Sequence, residues 1–118
     1  MKVALVRGAY LNNFEGQNYS NLGKSIKVTA ISSLKPLHRN FRFAVIKRPS
    51  LSDLGFPTWL ANRTFGDRQM LFGLEKAVKE FDIVHTADPH YYYSYQMAKL
   101  RKKKKLKCLI STSWETIP

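Results

Sequence analysis

Apolar and polar positions follow two periods along this chain, and the switches between them outline its elements. Residues 2–7, Lys-Val-Ala-Leu-Val-Arg, form a nearly continuous apolar run that suits a central strand covered on both faces. Gly8 ends it. Residues 8–23 are polar and carry Asn12, Asn13, Gly16, Asn18 and Gly23; a short helix over 15–22 fits them, with weak periodicity. Residues 26–32 alternate apolar and polar and are β-branched, which predicts a second strand. A third is predicted over 41–46, between the breaks at Pro36 and Pro49. Residues 49–66 read as loop, punctuated by Pro49, Gly55, Pro57 and Gly66.

The second half changes period. Thr64-Phe-Gly-Asp67 has the form of a capping box with Asp in place of Glu, and a helix is expected over 68–81. Its apolar residues, Met70, Leu71, Leu74, Ala77, Val78 and Phe81, share one face, while Glu75, Lys76, Lys79 and Glu80 face water. Residues 82–86 predict a fourth strand. Asp88-Pro89 has the chemistry of a helix start, because Asp accepts from free amides and Pro suits the first helical position. The helix is expected over 89–104 and a fifth strand over 106–113, with Cys108 inside it as a small buried hydrophobe.

Strands alternating with helices imply βαβ units joined by right-handed crossovers. The expected fold is α/β, a Rossmann-like, doubly wound, mainly parallel five-stranded sheet with helices on both faces. Strands one, four and five should be adjacent, with strand two on the other side of strand one. The chain of 118 residues is enough for one domain. With one cysteine there is no internal disulfide and no multi-cysteine zinc site, which fits a reducing, cytoplasmic setting. No stretch approaches a membrane span, and Arg7 cuts the first apolar run too short for a signal peptide.

Charge is the outlier. Twenty Lys+Arg against eight Asp+Glu give +12, which favours anionic partners. Seven of the cations, Lys99, Arg101, Lys102, Lys103, Lys104, Lys105 and Lys107, fall in one nine-residue window with no acid. That run reads either as a solvated helix end, where cations suit the dipole, or as a patch that meets an anionic membrane surface at the inner face of a membrane. Tyr91, Tyr92, Tyr93 and Tyr95 beside it echo the aromatic-plus-basic pattern of single-strand nucleic-acid grooves. At helical spacing, however, one or two pack on the sheet and the rest edge a crevice.

In an open parallel sheet, ligands bind at the carboxyl ends of the strands. Arg7 and Gly8 lie there after strand one, His85, Thr86 and Asp88 after strand four, and Ser113, Trp114 and Glu115 after strand five. The loop after strand one has one glycine where a dinucleotide fingerprint needs three, and no Walker sequence occurs. His85, Asp88 and His90 are ligand types, but one histidine ends a strand and the other opens a helix, so no metal is expected. His85 is either a polar contact to a substrate hydroxyl or a satisfied, partly buried histidine.

Three segments carry a resemblance: residues 1–7, the Phe81-Asp-Ile-Val-His-Thr86 stretch, and Cys108-Leu-Ile-Ser-Thr-Ser-Trp-Glu-Thr-Ile-Pro118. In this order and spacing they resemble the amino-terminal domain of glycosyltransferase family 4, enzymes of the GT-B fold that transfer sugars from nucleotide donors. The resemblance spans the chain and implies an acceptor-side domain for a sugar or lipid-linked acceptor. It places Gly8 and Asn12 in the loop beside the reaction centre, and His85 and Thr86 at the acceptor pocket. The family often has a Thr-x-His-Asp pattern after the fifth strand; here Trp114 stands at the histidine and Glu115 at the aspartate. A tryptophan cannot act as a base but could stack on a sugar, and Glu115 with His85 would then carry the catalytic role.

The resemblance also implies that the nucleotide-sugar donor is held by a second, carboxyl-terminal domain or a separate subunit. The chain is thus expected to be the front portion of such an enzyme, inactive alone and without a cofactor of its own. The competing class is a small basic module that binds nucleic acid or membrane without chemistry. Concentration of the cations at one helix end favours an enzyme domain with a peripheral patch, and makes nucleic acid the weaker partner. A signalling receiver would need acids after strand one, where Arg7-Gly8 supplies none.

Overall fold

Strand β1, Lys2–Gly8, is the centre of the fold in a computed structural model that describes residues 1–113. It pairs in parallel with β2, Lys27–Ser32, on one side and with β4, Ile83–Ala87, on the other. β3, Ala44–Lys47, and β5, Leu109–Thr112, form the edges, so the order is β3-β2-β1-β4-β5 and every pairing is parallel. This is the Rossmann-like arrangement that the alternation of strands and helices implies, with the expected neighbours on each side of β1. Val3, Ala4, Leu5 and Val6 are all buried, as a strand covered on both faces requires.

The two faces are covered unequally. Ala4, Val6, Ile31 and Val84 share one face with α3, Leu74–Val78, and α4, Tyr92–Lys102, whose Leu74, Val78, Tyr93, Met97 and Leu100 fill the larger core. The opposite face carries Leu5 and Ala30 beneath α1, Asn13–Ser20, with Tyr19, Phe41 and Phe43 around them. Over β5 this second face is open, and Ile110 is 45% exposed.

The helices depart from the expected boundaries, each for a local reason. A helix α2, Thr58–Phe65, forms inside the stretch read as loop, entered from Pro57 and closed by Gly66 at a φ of 78°. The helix expected over 68–81 shrinks to the five residues of α3, because Gly73 takes a φ of 69° just before it and Leu71 instead bridges Ser50. No capping box forms. The Asp67 carboxylate accepts from Gln69 N at 2.5 Å and from Tyr92 N at 2.7 Å, and so caps α4 from a distance in sequence. Asp88 does not start that helix: it sits at a φ of 61°, and Tyr91 occupies the N-cap position.

The last elements shift as well. α4 ends at Lys102, with Lys104 in a left-handed turn. β3 begins at Ala44, leaving Phe41 and Phe43 stacked on each other beside α1. Cys108 is exposed rather than buried, because β5 begins one residue later on the open side of the sheet. The basic run is not without compensating acids either. Lys105 pairs with Glu75 at 2.6 Å and Lys107 with Asp82 at 2.8 Å. No helix among the described residues is long and apolar enough to cross a membrane.

Asp67 thus satisfies two backbone donors that no other group reaches. Asp67→Ala is expected to lower unfolding free energy by about 1–3 kcal/mol, read from urea denaturation. A variant as stable as the parent would show that α4 does not depend on this cap.

Candidate functional site

The carboxyl edge of the sheet is organised around a buried cation. Arg7 stands next to last in β1 and is only 4% exposed. A guanidinium cannot shed its charge, so burial demands counter-ions. Nη2 donates to Glu15 Oε1 at 2.5 Å, and Nη1 lies 3.7 Å from Asp88 Oδ2. Glu15 is brought there by α1, whose start is capped by Asn12: its Oδ1 accepts from Glu15 N at 3.0 Å and its Nδ2 donates to Tyr10 O. Asn12 is therefore a helix cap at this edge.

Gly8 turns the chain out of β1 at a φ of 54°, a conformation that side chains disfavour. A Cβ there would sit 2.6 Å from Gln69 Oε1 and 3.3 Å from the Tyr93 ring. Gln69 is buried and its Oε1 accepts from Ala9 N at 3.0 Å, which fixes the loop that follows β1. Beyond this loop a hollow of about 480 Å³ opens between Tyr10, Lys35, Thr58 and Arg68.

His85 lies on the α1 face of β4. Its Nδ1 is hydrogen-bonded to the Tyr19 hydroxyl and its Nε2 to the Thr112 hydroxyl. A neutral imidazole has one donor and one acceptor nitrogen, and two rotatable hydroxyls can serve both. Burial, and then the positive charge of Arg7, hold its pKa below the ordinary 6.5. Burial, followed by the charge of Glu15, raises the Tyr19 phenol. The ring and phenol therefore face a cavity of about 250 Å³ in their neutral forms, together with Arg7, Glu15, Asn18 and Leu22. Such a set can bind hydroxyl groups, and His85 can take a proton from one where the ligand hydroxyl displaces Tyr19 or Thr112 from its ring nitrogen.

Of the residues that the sequence nominates, Gly8, Asn12 and His85 come to this edge. Thr86 does not share the cavity. It neighbours His85 in the strand, so it points to the other face, where it is 1% exposed. Trp114 and Glu115 lie outside the described residues. Among the tyrosines, Tyr93 is fully buried and donates to Ala87 O, Tyr91 stacks between Tyr10 and Tyr93, and Tyr95 is 54% exposed. Burial pushes the Tyr91 phenol up to about 12.

Glu15 and Tyr19 are site residues that the pattern of the sequence does not announce. A signal existed for Glu15: Arg7 closes an otherwise apolar central strand, and Glu15 is the only acid among the first 52 residues. Tyr19 had none, because α1 shows no apolar face that would mark which residue meets the sheet. Among the described residues no three His, Cys, Asp or Glu side chains gather as metal ligands. No protein family, curated protein or solved structure matches this chain.

Two measurements probe this geometry. The pKa of His85 is depressed by folding, so the stability it confers is present above 6.5 and lost as pH falls through that value. Melting temperature should therefore drop between about pH 7 and pH 5, and the drop should be smaller in His85→Gln. Identical slopes in the two proteins would remove His85 as the cause. Gly8→Ala should cost about 2 kcal/mol or more in urea denaturation, from the positive φ and the clash with Gln69. An unchanged midpoint would mean that the loop after β1 relaxes freely.

Proposed function

We propose that this chain is the acceptor-side domain of a glycosyltransferase, one that holds a sugar or lipid-linked acceptor while the nucleotide-sugar donor is presented by another domain or subunit. The observation that carries the reading is the neutral His85 fixed by two hydroxyls above a cavity that also contains Glu15. An acceptor hydroxyl must be oriented and relieved of its proton as the new bond forms, and a neutral imidazole beside a carboxylate suits that task. The position agrees with the chemistry, since ligands of open parallel sheets bind beyond the strand carboxyl ends. The Gly8 turn and the resemblance of residues 1–7 and 81–86 to the acceptor domains of family 4 support the same reading.

In this reading Arg7 is a positioning residue. Its charge lowers the pKa of His85 and anchors Glu15 at the cavity wall. Tyr19 and Thr112 set the plane of the imidazole. Glu115 remains the further carboxylate that the resemblance assigns to the acceptor hydroxyl.

The test is a titration of the isotope-labelled protein with methyl glycosides of common hexoses, followed by NMR. An acceptor glycoside is expected to shift the His85 ring and Tyr19 resonances with a Kd of about millimolar, and His85→Ala should abolish the response. The rival reading predicts the reverse: glycosides shift nothing, while single-stranded RNA shifts Tyr95 and the lysines of residues 99–107. That outcome would sink the acceptor-domain reading.

A further inference from the structure

A second concave site lies on the α3 face of the sheet, running from the starts of β1 and β2 to the β3 edge. Lys2 and Lys27 are paired in register at the starts of β1 and β2, so their side chains share a face. Strand periodicity puts Thr29, Ile46 and Arg48 on that same face. α3 spans only five residues and leaves this corner of the sheet uncovered. The result is a hollow of about 350 Å³ with Thr29 and Ile46 among its lining residues and Lys76, Lys79 and Glu80 at the end of α3.

The charge around it is one-sided. Five cations, Lys2, Lys27, Arg48, Lys76 and Lys79, line the hollow with one carboxylate, Glu80. None of the five takes part in an ion pair among the described residues. Two neighbouring acids that could have compensated them are committed elsewhere: Glu75 to Lys105 and Asp82 to Lys107. Those pairs, with the Lys2 amide for Asp82, hold the Asp82 carboxyl down to about 2 and lower that of Glu75. Arg48 is the fixed member of the ring. Its guanidinium lies 3.7 Å from where a Gly73 Cβ would be, and its Nε is buried without a hydrogen-bond partner. A guanidinium beside four ammonium groups, none in an ion pair among the described residues, is an arrangement that phosphate oxygens can neutralise.

We propose that this hollow binds a compact anion carrying several phosphate groups, as a soluble polyphosphorylated molecule or as a multiply phosphorylated lipid headgroup. Small-ligand sites span about 300–1,000 Å³, so the volume admits one such group and no extended polymer. The inference is independent of the acceptor reading, because the two sites lie on opposite faces of the sheet and share no residue.

The test uses the whole chain and inorganic tripolyphosphate, in titration calorimetry at low salt with amide shifts recorded in parallel. Saturable binding that shifts Lys27, Thr29, Lys76 and Lys79 is expected. Arg48→Gln with Lys76→Gln should weaken it about tenfold or more. Arg101→Gln with Lys102→Gln removes the same charge outside the hollow and should weaken it by less than about threefold. If the first pair fails to fold, Lys27→Gln with Lys79→Gln, both at exposed positions, replaces it. Equal losses in the hollow and control pairs would overturn the site, leaving net charge as the only attraction. No saturable binding, or RNA binding that survives loss of Arg48 and Lys76, would overturn it too. Phosphatidylcholine vesicles with and without a phosphoinositide distinguish the sources. Capture by the phosphoinositide vesicles, reversed by tripolyphosphate, assigns a headgroup; binding to tripolyphosphate alone assigns a soluble ligand.

Discussion

The burial of Arg7 at the end of the central strand is the constraint on which the carboxyl edge of this protein rests. Desolvating a guanidinium costs several kcal/mol unless anions surround it, of the order of what a small domain can spare. Glu15 from α1 and Asp88 from the turn after β4 supply them. These two carboxylates come from segments far apart in the chain, so one cation ties the crossover after β1 to the connection after β4. Asp88 occupies its left-handed conformation at that junction. Capping of α4 then falls to Asp67, which comes in from the loop before α3.

That charge cluster also adds to the electrostatics of His85. Burial under α1 disfavours the imidazolium by desolvation, and Arg7 repels a proton from the ring as well. The thinness of the α1 layer matters equally. Had a second helix covered β4 and β5 on this face, His85 would be sealed in the core and Ile110 with it. The open flank instead leaves a neutral, hydrogen-bonded ring at the wall of a cavity.

The sheet was legible in the sequence because its three central strands are apolar runs that must be buried. The runs of residues 2–7, 26–32 and 82–86 are close to their observed extents, and strand order follows from crossover handedness. Helices were less legible because their ends are decided by contacts from far away. Thr64 and Asp67 have the spacing of a capping box, yet Asp67 finds better donors at Gln69 and Tyr92. Asp88-Pro89 has the chemistry of a helix start, yet Asp88 lies beside Arg7. The site divides in the same way. Gly8 and His85 could be placed by following strand ends. Tyr19 could not, since nothing in a weakly periodic α1 tells which residue faces the sheet.

The lysine run shows how a local feature can acquire a distant role. As sequence, seven cations without an acid suggest a patch that acts by itself. As structure, Lys105 and Lys107 fold back on Glu75 and Asp82. Exposed pairs of this kind add little stability, so their main effect is on the field around them. By neutralising two of the acids near α3 and β4, they leave the cations of the hollow beside α3 opposed by Glu80 alone. The two faces of the sheet thereby differ in kind. On the α1 face the cation Arg7 is buried and matched by Glu15 and Asp88. On the α3 face the cations of the hollow outnumber its one acid and take part in no ion pair among the described residues. The strands make this separation possible, because successive side chains point to opposite faces of the sheet.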